Sequence, residues 1–331
     1  MKKNIIIFLV MSIISLMGCS RAADTPVTGG DWQHDVSLPV PIEFGAGTLT
    51  KAGVYGVGDI VGQMFGVYAV DTNPELEMEQ RLYLDNRAAI CKLQDASPVL
   101  QLVGDCYYPY TTDEKLHFYA YYPSTDNPKD FHIEDGKIMM TVYLDGADDI
   151  LYASAKQGRD ALGNLTDGFN GAYIRNNGEK PSFAFSHVTS GISVRVRNNT
   201  LYDLTVNSLR FSDYPLYADL CLVDPESDME GKLIPETYVR SYYLAENDRL
   251  DLHVSAQSGP VQLHETVFVM PQEAFVCHLS VNGREFTHEL RPGNLQQGLS
   301  GHEPGHIYRY LFEIDEIGGE LVVNLKKDVN E

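Results

Sequence analysis

His302-Glu303-Pro304-Gly305-His306 matches the H-E-x-x-H pattern of zinc metalloproteases. That chemistry needs a helix, which sets two imidazoles at i and i+4 on one face with the glutamate beside the metal-bound water. Here Pro304 and Gly305 fill the middle, where a helix would lose a hydrogen bond and meet a steric clash. The segment also runs straight into the strand-like stretch Ile307–Ile314, so it reads as a loop entering a strand. Gly56, Gly58 and Gly62 only echo a dinucleotide-binding fingerprint, with no helix pattern after them. Asp145, Asp148 and Asp149 could hold a calcium ion or form an exposed acidic turn, and the turn is the expectation. There is no G-x-S-x-G, P-loop or EF-hand loop. The residues therefore point to a non-enzyme that needs no metal and no cofactor.

The residue with the clearest chemistry is Cys19. Lys2 and Lys3 form a basic start, Ile5–Met17 is apolar apart from Ser12 and Ser15, and Leu16-Met17-Gly18-Cys19 follows. The apolar run is too short for a membrane span of about 20 residues but fits a secretion signal. The last four residues look like a bacterial lipobox. Gly18 lets the signal peptidase reach the bond, and the Cys19 thiol takes the lipid. Three acyl chains anchor firmly, at about 0.8 kcal/mol per buried CH₂. Residues 1–18 are thus read as a lipoprotein signal peptide and 19–35 as an aperiodic tether.

Composition narrows the partners. The 331 residues carry 25 Lys+Arg and 46 Asp+Glu, a formal charge of −21, which becomes −23 when residues 1–18 leave with two lysines and no acid. So acidic a chain repels phosphate backbones and excludes nucleic acid as a partner. With 44% hydrophobic residues, 20 Tyr and 13 Phe, it is too rich in apolar groups for disorder. The length suits about two domains. Beyond Cys19 there remain Cys91, Cys106, Cys221 and Cys277. An oxidising compartment would permit two disulfides in three connectivities, but four cysteines are no staple framework, and buried free thiols are the expectation.

The elements that must carry all this are strands. Met64–Val70, Leu116–Tyr122, Lys137–Leu144, Gly191–Arg197, Val261–Met270 and His306–Ile314 are short Val-, Ile-, Tyr- and Phe-rich runs between turn residues. They argue for β-sandwiches. Helical spacing is never sustained, so helices should be few and short. Asn282-Gly283 between Phe275–Val281 and Arg284–Leu290 is a type I′ hairpin signal. A two-residue loop there pairs Leu279 with Phe286, Cys277 with His288 and Phe275 with Leu290. Tyr107-Tyr108 and Tyr121-Tyr122 should alternate, one ring inward and one outward. The polar stretch at 176–181 marks a junction, giving an N-terminal β-sandwich over 36–177 and a C-terminal one over 178–331.

Four segments carry a resemblance. They are Ile42-Glu-Phe44 with Thr50-Lys51-Ala52, Gly58-Asp59 and Phe65–Ala69; then Tyr107-Tyr108-Pro109 with Phe118–Pro123; then Asp149–Ala153 with Phe183–His187 and Ile192–Val196; and last Gly305–Tyr310. In this order, after a lipobox, the chain resembles the fimbrillin-like (Mfa-like) lipoproteins, subunits of type V pili. The resemblance implies an all-β fold of two tandem transthyretin-like β-sandwich domains after a lipoprotein signal peptide. It implies a structural pilus subunit (stalk, tip or anchor) at the outer-membrane surface and in the fimbrium, lipid-anchored, palmitate included, and supporting cell adhesion. Its partners would be other pilus subunits and a host or bacterial surface ligand.

Assembly in that family removes a first strand by proteolysis after a basic residue, and a neighbouring subunit's strand fills the gap. Here the processing site would be Lys51-Ala52, where lysine stands in place of the usual arginine. A strictly arginine-specific protease would leave the strand in place, as an anchor needs. The removable strand would hold Val40, Ile42 and Phe44, and Pro39 and Pro41 bar it from a central sheet position. The donor would lie in 318–331: Gly318-Gly319 as hinge, then Leu321, Val322, Val323 and Leu325. The same segment could instead be simply the last strand of the second sandwich. A stand-alone surface lipoprotein that binds glycans or another ligand is the alternative function, with Trp32, Tyr107, Tyr108, Tyr121 and Tyr122 as its stacking candidates.

Overall fold

Left-handed turn residues and period-two alternation set most of the local structure. In the computed structural model, which describes residues 39–49, 57–110, 114–212, 214–226, 228–239, 242–243, 250–295 and 300–327, Asn282 and Gly283 both take positive φ, 49° and 75°. The hairpin they turn has the expected register, with Leu279 opposite Phe286, Cys277 opposite His288 and Phe275 opposite Leu290. Gly318 and Gly319, at 63° and 84°, make the same turn between Ile307–Ile317 and Glu320–Lys327. Among the described residues the α-helices are the short pieces Val57–Ile60, Met78–Arg81 and Gly171–Arg175. The fold is all-β.

A seven-stranded sheet takes up most of the first half. Its order is Thr48–Leu49, Ala184–His187, Leu151–Ala155, Leu116–Tyr122, Met64–Asp71, Leu82–Gln94 and Ser97–Leu102. The amide of Gly47, beside one edge strand, donates to the carbonyl of Pro98 in the other at 2.7 Å. The sheet therefore curls round its own core, which holds Phe65, Val67, Phe118, Ala120, Leu151 and Phe185. Its outer face presents Tyr68, Tyr121 and Tyr152 to a four-stranded sheet of Leu233–Val239, Tyr214–Val223, Lys137–Tyr143 and Phe131–Glu134. That sheet pairs strands from before and after residue 177. The Tyr152 hydroxyl fixes the two layers by donating to the Leu222 carbonyl at 2.9 Å.

Only Val188 and Thr189, both buried, separate Ala184–His187 from Ser190–Asn198, where a second sandwich begins. One of its sheets is built on the parallel pair Ser190–Asn198 and Ile307–Ile317, the other on the antiparallel pair Leu204–Ser212 and Phe275–Val281. Val194, Phe312 and Ile314 from the first meet Phe211, Leu279 and Val281 from the second in one core.

Three expectations change. The run Val261–Met270 is not one strand: Val261–Gln262 and Val267–Val269 both pair with Ser190–Asn198, where only Ser193 and Val194 stand opposite the four residues 263–266. The surplus loops out, as in a bulge. Tyr121 and Tyr122 do not alternate between core and solvent. Both are buried, one in each core, because Leu116–Tyr122 is covered on both faces. Asp149 is not part of an exposed turn. It is 1% exposed, and its carboxylate meets His187 Nδ1 at 2.5 Å and accepts from Thr189 Oγ1 at 2.7 Å. Asp145 and Asp148 are exposed, as a turn requires.

Candidate functional site

The N-terminal arm, residues 39–49, crosses the gap between the two edges of the curled sheet. Prolines 39 and 41 keep it extended and remove two donors. Backbone groups along it bond to three separate segments, at Pro98, at Cys106–Tyr108 and at Pro181–Phe183. Tyr108 donates to the Val40 carbonyl (2.9 Å), Ile42 donates to Cys106 (2.8 Å), Gly45 to Pro181 (2.8 Å) and Thr48 to Phe183 (2.9 Å). The side chains alternate as a strand requires: Ile42 and Phe44 are 6% and 5% exposed, with Val40 packed on the same core. Phe44 meets Phe118 edge-on at 5.5 Å and Phe183 at 4.9 Å between ring centroids. Burying each such side chain is worth about 1.5–3 kcal/mol. Outside, Glu43 pairs with Lys180 at 2.5 Å, an exposed contact worth roughly 0–1 kcal/mol.

Gly47 is needed where it stands, because a Cβ there would overlap the Phe183 carbonyl oxygen. At Gly171 a Cβ would come within 3.2 Å of the Tyr108 Cβ and 3.4 Å of the Val40 Cβ, so the short helix can close on the arm. Beside the arm lies a cavity of about 520 Å³ reaching along Ser97–Leu102. The arm is thus a plug, and the residues that receive it are Pro98, Cys106, Tyr108, Pro181 and Phe183. Of these, Tyr108 and Phe183 stand in the four resemblance segments. Nothing in the local pattern marks Pro98, Cys106 or Pro181, whose roles arise from the curl of the sheet.

The second candidate segment lies elsewhere. Leu321, Val322, Val323 and Leu325 belong to Glu320–Lys327, the edge strand of the first C-terminal sheet, paired with Ile307–Ile317 over eight register positions. Leu321, Val323 and Leu325 face the core and Val322 faces away. Arm and terminal strand belong to different sheets and different cores. Cys19, Trp32, Lys51 and Ala52 lie outside the described residues.

The metalloprotease-like segment is a loop that enters the strand Ile307–Ile317. His302 is buried, with Nδ1 on the Gln272 carbonyl at 2.9 Å and Nε2 on the Tyr310 hydroxyl at 2.8 Å. Burial lowers its pKa to about 4, against the carbonyl, which acts to raise it. Both ring nitrogens are committed, while His306 is exposed and contacts its own loop at the Pro304 carbonyl. Cys91, Cys106, Cys221 and Cys277 are buried thiols and none is in a disulfide. Burial pushes the Cys221 thiol up to about 11 and that of Cys277 higher still. Among the described residues no cluster of three or more metal-ligating side chains occurs. No helix there is long and apolar enough to cross a membrane. Of the aromatic stacking candidates, Tyr108, Tyr121 and Tyr122 are buried, leaving Tyr107 at 37% exposure.

No family profile matches the chain, and no curated protein sequence matches it. Solved structures do. A candidate cell adhesion protein from Bacteroides uniformis aligns at 15% identity over 88% of this chain and 98% of its own, with a TM-score of 0.49. The fimbrial anchor protein Mfa2 from Porphyromonas gingivalis aligns at 12% identity, over 86% and 95%, with a TM-score of 0.42. The tip fimbrial protein Mfa3 of the same organism aligns at 8% identity, over 87% and 99%, with a TM-score of 0.37. The solved structures this chain is similar to are fimbrial and candidate cell adhesion proteins.

Proposed function

We propose that this chain is a non-enzymatic structural subunit of a type V pilus, exported as an outer-membrane lipoprotein through Cys19 and assembled by strand exchange. The observation that carries the reading is the arm. It is extended, held by bonds to separate segments, and buries Ile42 and Phe44 in a sheet whose edges it bridges. Cutting between Lys51 and Ala52 would free it. Its loss would leave unpaired backbone groups at Cys106, Tyr108 and Pro181 and a bare apolar face at Phe118 and Phe183. A strand from another subunit restores both.

The donor in this reading is the terminal strand. Leu321, Val323 and Leu325 repeat the two-residue spacing of Val40, Ile42 and Phe44, so one triplet can replace the other without a change of register. Gly318 and Gly319 allow the strand to swing out. The subunit then supports adhesion as part of the fimbrium.

The test is the mature N-terminus of protein sheared from the cell surface, read by mass spectrometry. A chain starting at Ala52, together with SDS-resistant ladders, supports exchange. A chain starting at acylated Cys19 keeps its arm and overturns the exchange mechanism for this subunit. Deleting 318–331 should abolish the ladders while leaving the N-terminus unchanged.

A further inference from the structure

The cleft beside the arm and the end of the second sandwich carry matching chemistry. Leu93, Val99 and Tyr107 give the cleft apolar walls, with Leu93 51% and Tyr107 37% exposed. Its charged lining is Lys92, Lys180, Glu43 and Asp105, two of each sign. Glu43 belongs to the arm and is the partner of Lys180, while Lys92 is exposed and has no ion pair among the described residues. Removing the arm therefore removes one carboxylate and leaves two lysines against Asp105. The terminal strand brings no replacement. Aligned on the arm triplet in either direction, it sets Val322 or Asn324 at the place of Glu43.

At the end of the second sandwich Leu201, Ile317 and Tyr202 are 82%, 64% and 42% exposed. The three are neighbours, because the Asn199 amide donates to the Ile314 carbonyl at 2.9 Å and lays this loop along the end of Ile307–Ile317. The loop is also fixed. Asn198 Nδ2 donates to the carbonyls of Tyr202, Val254 and Ser255, and Thr200 Oγ1 donates to that of Tyr202. Apolar groups held rigid in water are pre-organised for a partner. Asp315 and the exposed Glu316 stand between Ile314 and Ile317, so the patch is negative where the vacated cleft is positive.

Chain length says which partner. Leu321 follows Ile317 by four residues, a reach of at most about 14 Å. When Leu321 takes the place of Val40 or Phe44 in a neighbouring subunit, Ile317 arrives beside the cleft, which Pro41 and Phe44 line. We propose that the tip formed by Leu201, Tyr202, Glu316 and Ile317 docks on the cleft of a second copy of this chain. The apolar side chains cover Leu93 and Tyr107, and Glu316 takes over Lys180 from the departed Glu43. The contact is head to tail, so repeated copies build a fibre. It rests on the strand-exchange reading and adds to it a surface that selects the incoming subunit.

The experiment reads protein sheared from the cell surface for its mature N-terminus, its ladders and its carbodiimide cross-links. Ladder material should yield a Lys180–Glu316 or Lys92–Glu316 cross-linked peptide that the monomer fraction lacks. Lys180→Glu and Leu201→Asp should each cut the ladder fraction about tenfold, with the melting temperature of the monomer unchanged. Glu316→Lys added to Lys180→Glu should restore most of it, because every junction then carries the swapped pair. Leu162→Asp, at an equally exposed leucine on the Asp160–Asn164 turn, should change nothing. Ladders that persist in both single variants, with no such cross-link, overturn the docking contact and leave strand exchange standing. A wild-type chain that starts at acylated Cys19 and forms no ladders overturns both.

Discussion

The two ends of the described chain are both extended apolar segments, yet they are held in opposite ways. Glu320–Lys327 zips along its immediate neighbour Ile307–Ile317 through a two-residue glycine turn, a wholly local pairing. The arm at 39–49 bonds to segments about 50 to 140 residues away, at Pro98, Cys106, Tyr108, Pro181 and Phe183, and its longest strand pairing is the two-residue match of Thr48–Leu49 with Ala184 and Phe185. A hairpin strand that leaves can re-form from local contacts. An arm that leaves unbuttons a curled sheet and exposes its core. The difference teaches where a cut would have structural consequences: at the arm, and much less at the hairpin.

The comparison can be broken experimentally. Phe44→Ala removes a ring from between Phe118 and Phe183 and should cost about 3–5 kcal/mol in urea unfolding. If it costs no more than truncating Val323 in the terminal strand, the arm is not a plug. Gly47→Ala forces a methyl against the Phe183 carbonyl and should cost about 1–3 kcal/mol, read as a lowered melting temperature with the arm more open to proteases.

Acid sharpens the contrast from the other side. His302 in the second sandwich has a folded pKa near 4, below its unfolded value of about 6.5. The unfolded chain therefore binds the extra proton between those values, and stability falls as pH drops through that window. From pH 7 to pH 5 the loss should be about 2 kcal/mol, and His302→Gln should flatten that part of the pH profile. Burial lowers the pKa of His117 in the seven-stranded sheet and of His264 and His288 in the second sandwich in the same sense, so part of the slope should remain in the His302 variant. The smallest effect belongs to the glycine turn. Gly318→Ala puts a Cβ at φ 63° and should cost about 1 kcal/mol, measured as a small drop in the urea midpoint with the arm unaffected.

Several features were legible in the residues alone because their causes are local. A type I′ turn needs two residues at positive φ, and Asn282-Gly283 supplied them, with the register following from loop length. Pro304 and Gly305 ruled out a helix in the H-E-x-x-H segment for reasons internal to five residues. The absence of helical spacing left strands as the main element, and Pro39 and Pro41 barred the run holding Val40, Ile42 and Phe44 from a central sheet position.

Tertiary structure decided the rest, because burial on a second face depends on what packs there. Tyr121 and Tyr122 are both buried only because one layer covers each side of Leu116–Tyr122. Asp149 reads as a solvated acid until His187 and Thr189 arrive from 38 and 40 residues away to pair with it. Val261–Met270 is continuous as a pattern and broken as a strand, since the partner Ser190–Asn198 is two residues too short to match it. The groups that receive the arm follow from the same cause: they depend on where the edges of the curled sheet end relative to each other, a distance in space that no spacing along the chain encodes.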